Sequence, residues 1–205
     1  ESMHTFYLPK AKGVNSETGL MEFWIDPEDE SKGVTNEYSK AGSTIVGKGV
    51  PDWVGGMTNT FRYKDFDLSF LLQGAMGGVF YQTTESGDFA NFLKSFYDNR
   101  WTEENPDADF PRTYNRSNEY FINQQNTFWL HKTDYIRLKN IELGYTVPSI
   151  WSKKIGVEHL RIYINAYNLL TFSPDMKDYD PENTSGSGYN YPLNKVINFG
   201  VNLTF

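Results

Sequence analysis

Between residues 175 and 183 the chain gathers Asp175, Asp178, Asp180, Glu182 and Asn183. A run of oxygen donors of this kind can supply hard ligands for calcium. The spacing is not that of an EF-hand, and no glycine stands at the turn position such a loop needs. Asp-Pro and Asn-rich strings also build ordinary turns. Asp178, Asp180 and Glu182 are therefore candidate calcium ligands, beside the expectation of no cofactor and no structural metal. A second string, Gly42-Ser43-Thr44-Ile45-Val46-Gly47-Lys48-Gly49, nearly matches a phosphate-binding loop. Gly49 replaces the Ser or Thr that would ligate magnesium, and Pro51 forbids the helix that should follow. A flexible turn accounts for it better than nucleotide binding.

Covalent chemistry finds no support in the residues. The chain has no cysteine, which removes disulfides, thiolate metal sites and cysteine nucleophiles together. His4, His131 and His159 are far apart in sequence and lie in or beside loops. No serine stands in a nucleophile elbow. Carboxylates are plentiful, yet no local feature selects a pair for acid–base work. The expectation is a protein that is not an enzyme. Its net charge of -7 argues against a nucleic-acid partner, which rewards clustered Lys and Arg. For ligand contact the aromatics of the longest loop matter most. Trp101, Tyr114, Tyr120 and Phe121 could stack on a sugar ring or clamp a peptide, or could instead order the loop by packing.

These residues are positioned by strands. From Val196 to the last residue, Ile197, Phe199, Val201, Leu203 and Phe205 alternate with Asn198, Gly200, Asn202 and Thr204. Side chains of a strand alternate faces, so this segment has one apolar face and one polar face. An outer-membrane barrel strand needs that pattern, and so does the closing strand of a soluble β-sandwich. Gly55–Tyr63 and Phe66–Gly74 read as two more strands, joined by Lys64-Asp65 as a tight hairpin. Phe128–Val147 reads as one long strand whose apolar phase changes. Ile136 and Leu138 precede Ile141, Leu143, Tyr145 and Val147, which requires a β-bulge near Lys139-Asn140. His159–Leu170 is a further strand, on which Arg161 and Asn165 oppose Leu160, Ile162 and Ile164. If the strands enclose an interior, Arg161 and Asn165 face it.

Residues 1–53 are polar and glycine-punctuated, and read as a loop region with short strands. Residues 54–205 read as the strand-bearing domain. Connections alternate short and long, which sets all long loops at one rim of an antiparallel meander. Residues 88–97 carry helix-compatible spacing within the longest loop. Trp53 and Trp129 fall near the long-loop rim, with Tyr145, Trp151 and Phe205 near the other, as interface belts would require. The opening Glu1-Ser2-Met3 shows no signal-peptide pattern, so either an export signal has been removed or the chain is an interior piece of a longer protein, and the second is expected.

Several segments together resemble the C-terminal part of the starch-utilisation-type (SusC/RagA) TonB-dependent transporters of Bacteroidetes outer membranes. They are Pro51-Asp52-Trp53-Val54-Gly55-Gly56, Tyr63-Lys64-Asp65-Phe66-Asp67-Leu68-Ser69-Phe70, Arg100-Trp101-Thr102 with Asn105-Pro106, Asp134 through Tyr145, Ser173-Pro174 with Asp180-Pro181-Glu182, and Phe199-Gly200-Val201-Asn202-Leu203-Thr204-Phe205. The resemblance implies an all-β fold, the C-terminal fragment of an antiparallel transmembrane β-barrel of about 22 strands with a plugged lumen and long extracellular loops. About five strands are visible, so the plug domain and the TonB-contacting segment would lie upstream. It also implies uptake of glycans or peptides across the outer membrane, driven through TonB-ExbB-ExbD, with a SusD-like surface lipoprotein over the loops. Outer-membrane lipid would then meet Ile197, Phe199, Val201, Leu203 and Phe205. The competing expectation is a soluble β-sandwich module that binds carbohydrate.

Overall fold

The fold is described from a computed structural model, for residues 4–81, 94–113, 125–176, 179–183, 191 and 193–205. The chain forms two compact units. One draws on the described parts of Glu1–Val50 and Gly78–Lys132; the other on those of Pro51–Gly77, Thr133–Asn183 and Tyr191–Phe205. The first unit takes in Gly78–Lys132, the segment that connects two strands of the second in sequence.

The first unit is built from short strands. They are β1 (Thr5–Pro9), β2 (Ala11–Val14), β3 (Met21–Trp24), β4 (Val34–Thr35), β5 (Ser43–Lys48), β8 (Val79–Tyr81) and β9 (Leu130–Lys132). They pair antiparallel as β1 with β5, β2-β3-β4, and β8 with β9. The segment Gly42–Gly49, expected to be a flexible turn, is thus largely a paired strand. Its alternation of Thr44 and Val46 with Ser43 and Ile45 suits the ladder with β1. Met21 and Phe23 are fully buried, and Tyr38 meets Phe23 edge-on with ring centroids 5.8 Å apart. Phe96, Phe110, Phe128 and Trp129 form an aromatic cluster, with Trp129 centroids 4.9 Å from Phe128 and 6.0 Å from Phe96. Phe96 sits on the short helix Lys94–Asp98; residues 88–93 of the expected helix lie outside the described residues. Such packing is how a unit in water hides apolar area.

The second unit is one five-stranded antiparallel sheet. Its strands are β6 (Trp53–Tyr63), β7 (Phe66–Met76), β10 (Tyr135–Thr146), β11 (His159–Phe172) and β12 (Val196–Thr204), in the order β12-β11-β10-β7-β6. β6 and β7 are joined by Lys64-Asp65, as the hairpin signal predicts, with Lys64 in the left-handed region at φ 54°. The β10–β11 connection is closed by a short helix at Ser149–Ser152 and by Gly156 at φ 77°. Both short connections lie at one end of the sheet, and the strand ends Met76, Tyr135, Phe172 and Val196 lie at the other.

Two expectations are corrected. Phe128–Val147 is not one strand. β9 belongs to the first unit, and the chain breaks at Thr133-Asp134, where the Asp134 carboxylate accepts the Gly77 N–H at 2.7 Å. That break is invisible to periodicity because its cause is a contact distant in sequence. Trp129, expected as a belt residue, is buried in the aromatic cluster of the first unit, whereas Trp53 and Trp151 are exposed. The bulge near Lys139 is present. The register of β10 shifts between Leu138 and Asn140 against both β7 and β11. Asn168 on β11 turns left-handed at φ 51° close to the same place.

Candidate functional site

The sheet of the second unit separates chemistry onto two faces. One register row across all five strands reads Phe61, Leu68, Leu143, Ile164 and Phe199. The row beside it, on the opposite face, reads Thr60, Ser69, Glu142, Asn165 and Asn198. The apolar face is not covered. Phe199 is 81% exposed and Phe205 82%, and Ile197, Val201 and Leu203 are each at least half exposed. Phe61, Phe66, Ile136, Leu143 and Ile162 also stand open. The polar face is where side chains are buried and paired. In a protein surrounded by water that assignment would be reversed.

Two charge networks occupy the polar face. The first, near the short-turn end, is centred on Arg161. Its Nε donates to Asp67 Oδ1 at 3.0 Å, and its Nη2 donates to Asp67 Oδ2 and, at 2.8 Å, to Glu142 Oε1. Asn165 Nδ2 donates to Glu142 Oε2 at 3.5 Å, and Asn198 Nδ2 donates to Asn165 Oδ1 at 3.0 Å. Arg161 reaches Asp67 from two strands away by lying across Gly144. A Cβ there would stand 2.6 Å from the guanidinium carbon, so only glycine leaves room. Gly200 admits the Tyr163 ring in the same way. Arg62, Asp67, Glu142, His159 and Arg161 line a groove of about 600 Å³.

The second network, near the long-loop end, is centred on Arg137, whose side chain is 3% exposed. Nε donates to Thr171 Oγ1 at 2.8 Å, Nη2 to Asp180 Oδ1 at 2.6 Å, and Nη1 to Glu182 Oε2. Lys139 Nζ donates to Glu182 at 2.8 Å, and Gln73 Nε2 to Glu182 at 3.3 Å. Burial pushes the Asp180 carboxyl up. The Arg137 guanidinium and the backbone N–H groups of Glu182 and Leu193 outweigh that and hold it below the usual aspartate range. A cavity of about 440 Å³ beside it is lined by Arg137, Thr171, Phe172, Met176, Asp180 and Leu193, among others.

The candidate residues of the sequence are distributed unevenly. Arg161 and Asn165 meet in the first network. Asp180 and Glu182 are engaged by Arg137 and Lys139, while Asp178 lies outside the described residues. No group of three or more acidic or histidine ligands with metal geometry occurs among the described residues. Trp101 donates its indole N–H to the Ser16 carbonyl at 2.8 Å and packs on Gly19, where a Cβ would stand 2.8 Å from Cγ of the indole. Tyr114, Tyr120 and Phe121 lie outside the described residues. Arg137, Asp67, Glu142 and Gln73 are site residues that the sequence pattern does not single out. Each is a polar residue opposite an apolar set, which is the available signal; their partners are not readable from spacing.

Comparison with known proteins gives these features a family. The chain is 31% identical over 184 residues to TonB-dependent receptor P3 of Formosa agariphila, covering 82% of this chain and 18% of that protein. It is 28% identical over 166 residues to TonB-dependent receptor SusC of Bacteroides thetaiotaomicron, covering 78% of this chain and 16% of SusC. The solved structure of the RagAB peptide transporter superposes with a TM-score of 0.76 at 26% identity, covering 98% of this chain and 23% of that one. No family model matches the sequence. The all-β fold and its two-faced sheet thus belong to the TonB-dependent receptors. Within that class the chain is a segment of the SusC/RagA type. It spans about a fifth of the length of the curated relatives it matches.

Proposed function

We propose that this chain is barrel wall in an outer-membrane importer energised through TonB. The observation that carries the reading is the opposition of the two faces: Phe61, Leu143, Phe199 and their neighbours stand open, while Arg137 and Arg161 are enclosed by carboxylates. Apolar side chains toward lipid and polar ones toward an enclosed interior are what a transmembrane barrel requires. The sheet closes, with strands from the rest of the parent polypeptide, into a barrel of about 22 strands around a plug. Closure also supplies partners for the free edges of β6 and β12. Lipid meets Ile197, Phe199, Val201, Leu203 and Phe205. Arg161 and Asn165 line the interior.

The long connections lie on the extracellular side, and residues 1–53 with them, beneath a SusD-like surface lipoprotein. Trp101, Tyr114, Tyr120 and Phe121 belong to this loop region and are its aromatic candidates for ligand contact. The cargo is a glycan or a peptide; the likeness to the RagAB peptide transporter supports the peptide class. The wall does no covalent chemistry and needs no cofactor; a calcium ion at Asp178, Asp180 and Glu182 would have to compete with Arg137 for the last two. Uptake of labelled oligopeptides and oligosaccharides by cells expressing the full-length parent tests the reading. Accumulation of one class that stops when TonB is deleted is the expected result. A parent that is monodisperse without detergent, as the soluble carbohydrate-binding module would be, overturns it.

A further inference from the structure

We propose that Arg137 is an ionic lock that clamps the β11–β12 connection onto the polar face of the sheet. Its guanidinium grips both parts at once. Nε holds Thr171 of the neighbouring strand at 2.8 Å, while Nη1 and Nη2 hold Glu182 and Asp180 of the connection. The β10 bulge places Lys139 to donate to the same Glu182 at 2.8 Å, and Gln73 of β7 joins it at 3.3 Å. The attachments of three residues on two strands thus converge on two carboxylates only two positions apart.

Asp180 passes that restraint along the loop. Its Oδ1 accepts the Glu182 N–H at 3.0 Å, and its Oδ2 accepts the Leu193 N–H at 3.1 Å. The start of the connection is tied separately, where Ser173 Oγ donates to the Asp134 carbonyl at 2.8 Å and accepts the Met176 N–H at 3.3 Å. Ser173 is therefore a pivot and Asp180-Glu182 the clasp. Both carboxylates and the guanidinium are largely buried, so neither partner tolerates separation without rehydration. Lifting opens the cavity of about 440 Å³ and leaves Arg137 and Lys139 as adjacent uncompensated cations on the polar face.

Hydrogen exchange on the full-length parent in lipid tests the lock. Two variants are compared with the natural protein: Arg137→Gln, and Asp180→Asn combined with Glu182→Gln, which keeps the arginine. The expected result in both is at least tenfold faster exchange at residues 179–183 and 193–195 with unchanged protection of β10 and β11. Unchanged exchange in the connection overturns the proposal. So does an equal gain in the two strands, or failure of both variants to assemble, because each would make Arg137 a support of the sheet.

Discussion

The two units of this chain solve the problem of apolar side chains in opposite ways. The short-stranded unit hides Met21, Phe23, Phe96 and Trp129 and leaves its ion pairs, such as Lys12–Glu22, at the surface. The five-stranded sheet exposes Phe61, Leu143 and Phe199 and hides Arg137 with its two carboxylates. One polypeptide therefore carries two burial rules. The hydrophobic effect drives the first arrangement wherever water surrounds the chain. The second suits a sheet whose outward face meets something as apolar as itself. The proposed lipid-facing role of the sheet rests on that difference.

Trp129 anchors the short-stranded unit. Trp129→Ala removes the centre of the aromatic cluster and is expected to cost about 3–5 kcal/mol within the short-stranded unit. Limited proteolysis of the full-length parent should show new cleavage there and none in the sheet. Cleavage spread equally through both would mean that the two do not follow separate rules. Next is Leu143→Lys, in the middle of β10 on the open face. In lipid it should destabilise the parent by about 2–4 kcal/mol, read by urea titration of the folded fraction. A surface leucine facing water would give almost no change, and that outcome breaks the comparison from the other side.

Gly144→Ala examines the enclosed charges. The added methyl displaces the Arg161 guanidinium, and loss of its charged hydrogen bonds to Asp67 is expected to cost about 1.5–3 kcal/mol. Acidification probes the second network through Asp180. Its folded carboxyl titrates below the ordinary 3.8, so its contribution is present above that value. The contribution is lost as the pH falls below 3.8 toward the folded value. Asp180→Asn should flatten that part of the stability profile, and a profile identical to the natural protein would remove Asp180 from the account. The smallest effect belongs to Lys12→Met. Its partner Glu22 is held below the ordinary carboxylate range chiefly by the Lys12 hydrogen bond, but the lysine is 46% exposed. Less than about 1 kcal/mol is expected in thermal unfolding of the short-stranded unit.

Much of the sheet was legible because a strand writes its two faces into alternate residues. Ile197, Phe199, Val201 and Leu203 against Asn198, Gly200 and Asn202 gave β12, and Lys64-Asp65 between two alternating runs gave the hairpin. The phase change after Leu138 gave the bulge, since no other device moves a strand's apolar set to the other side. The end of β9 was not legible, because Asp134 breaks the strand by reaching Gly77 across the sequence. Trp129 was misplaced for a related reason. Its aromatic partners come from residues 96, 110 and 128, brought together by folding rather than by any period in the sequence. At the candidate site, Arg161 and Asn165 were visible as the polar side of β11. Arg137 was not singled out, since its importance comes from Asp180 and Glu182, which a long connection returns to the sheet. Those two acids looked like cation ligands in the sequence. The cation they hold is a guanidinium.

On the proposed reading, one face of the sheet meets lipid and the other an enclosed interior. Single cysteines at positions 197 through 203 of the full-length parent, freed of any other cysteine and carrying a fluorophore, read this residue by residue in bilayers containing brominated lipid. Strong quenching at 197, 199, 201 and 203, with little at 198, 200 and 202, is the predicted result. Uniform quenching, or quenching with the opposite phase, would contradict it.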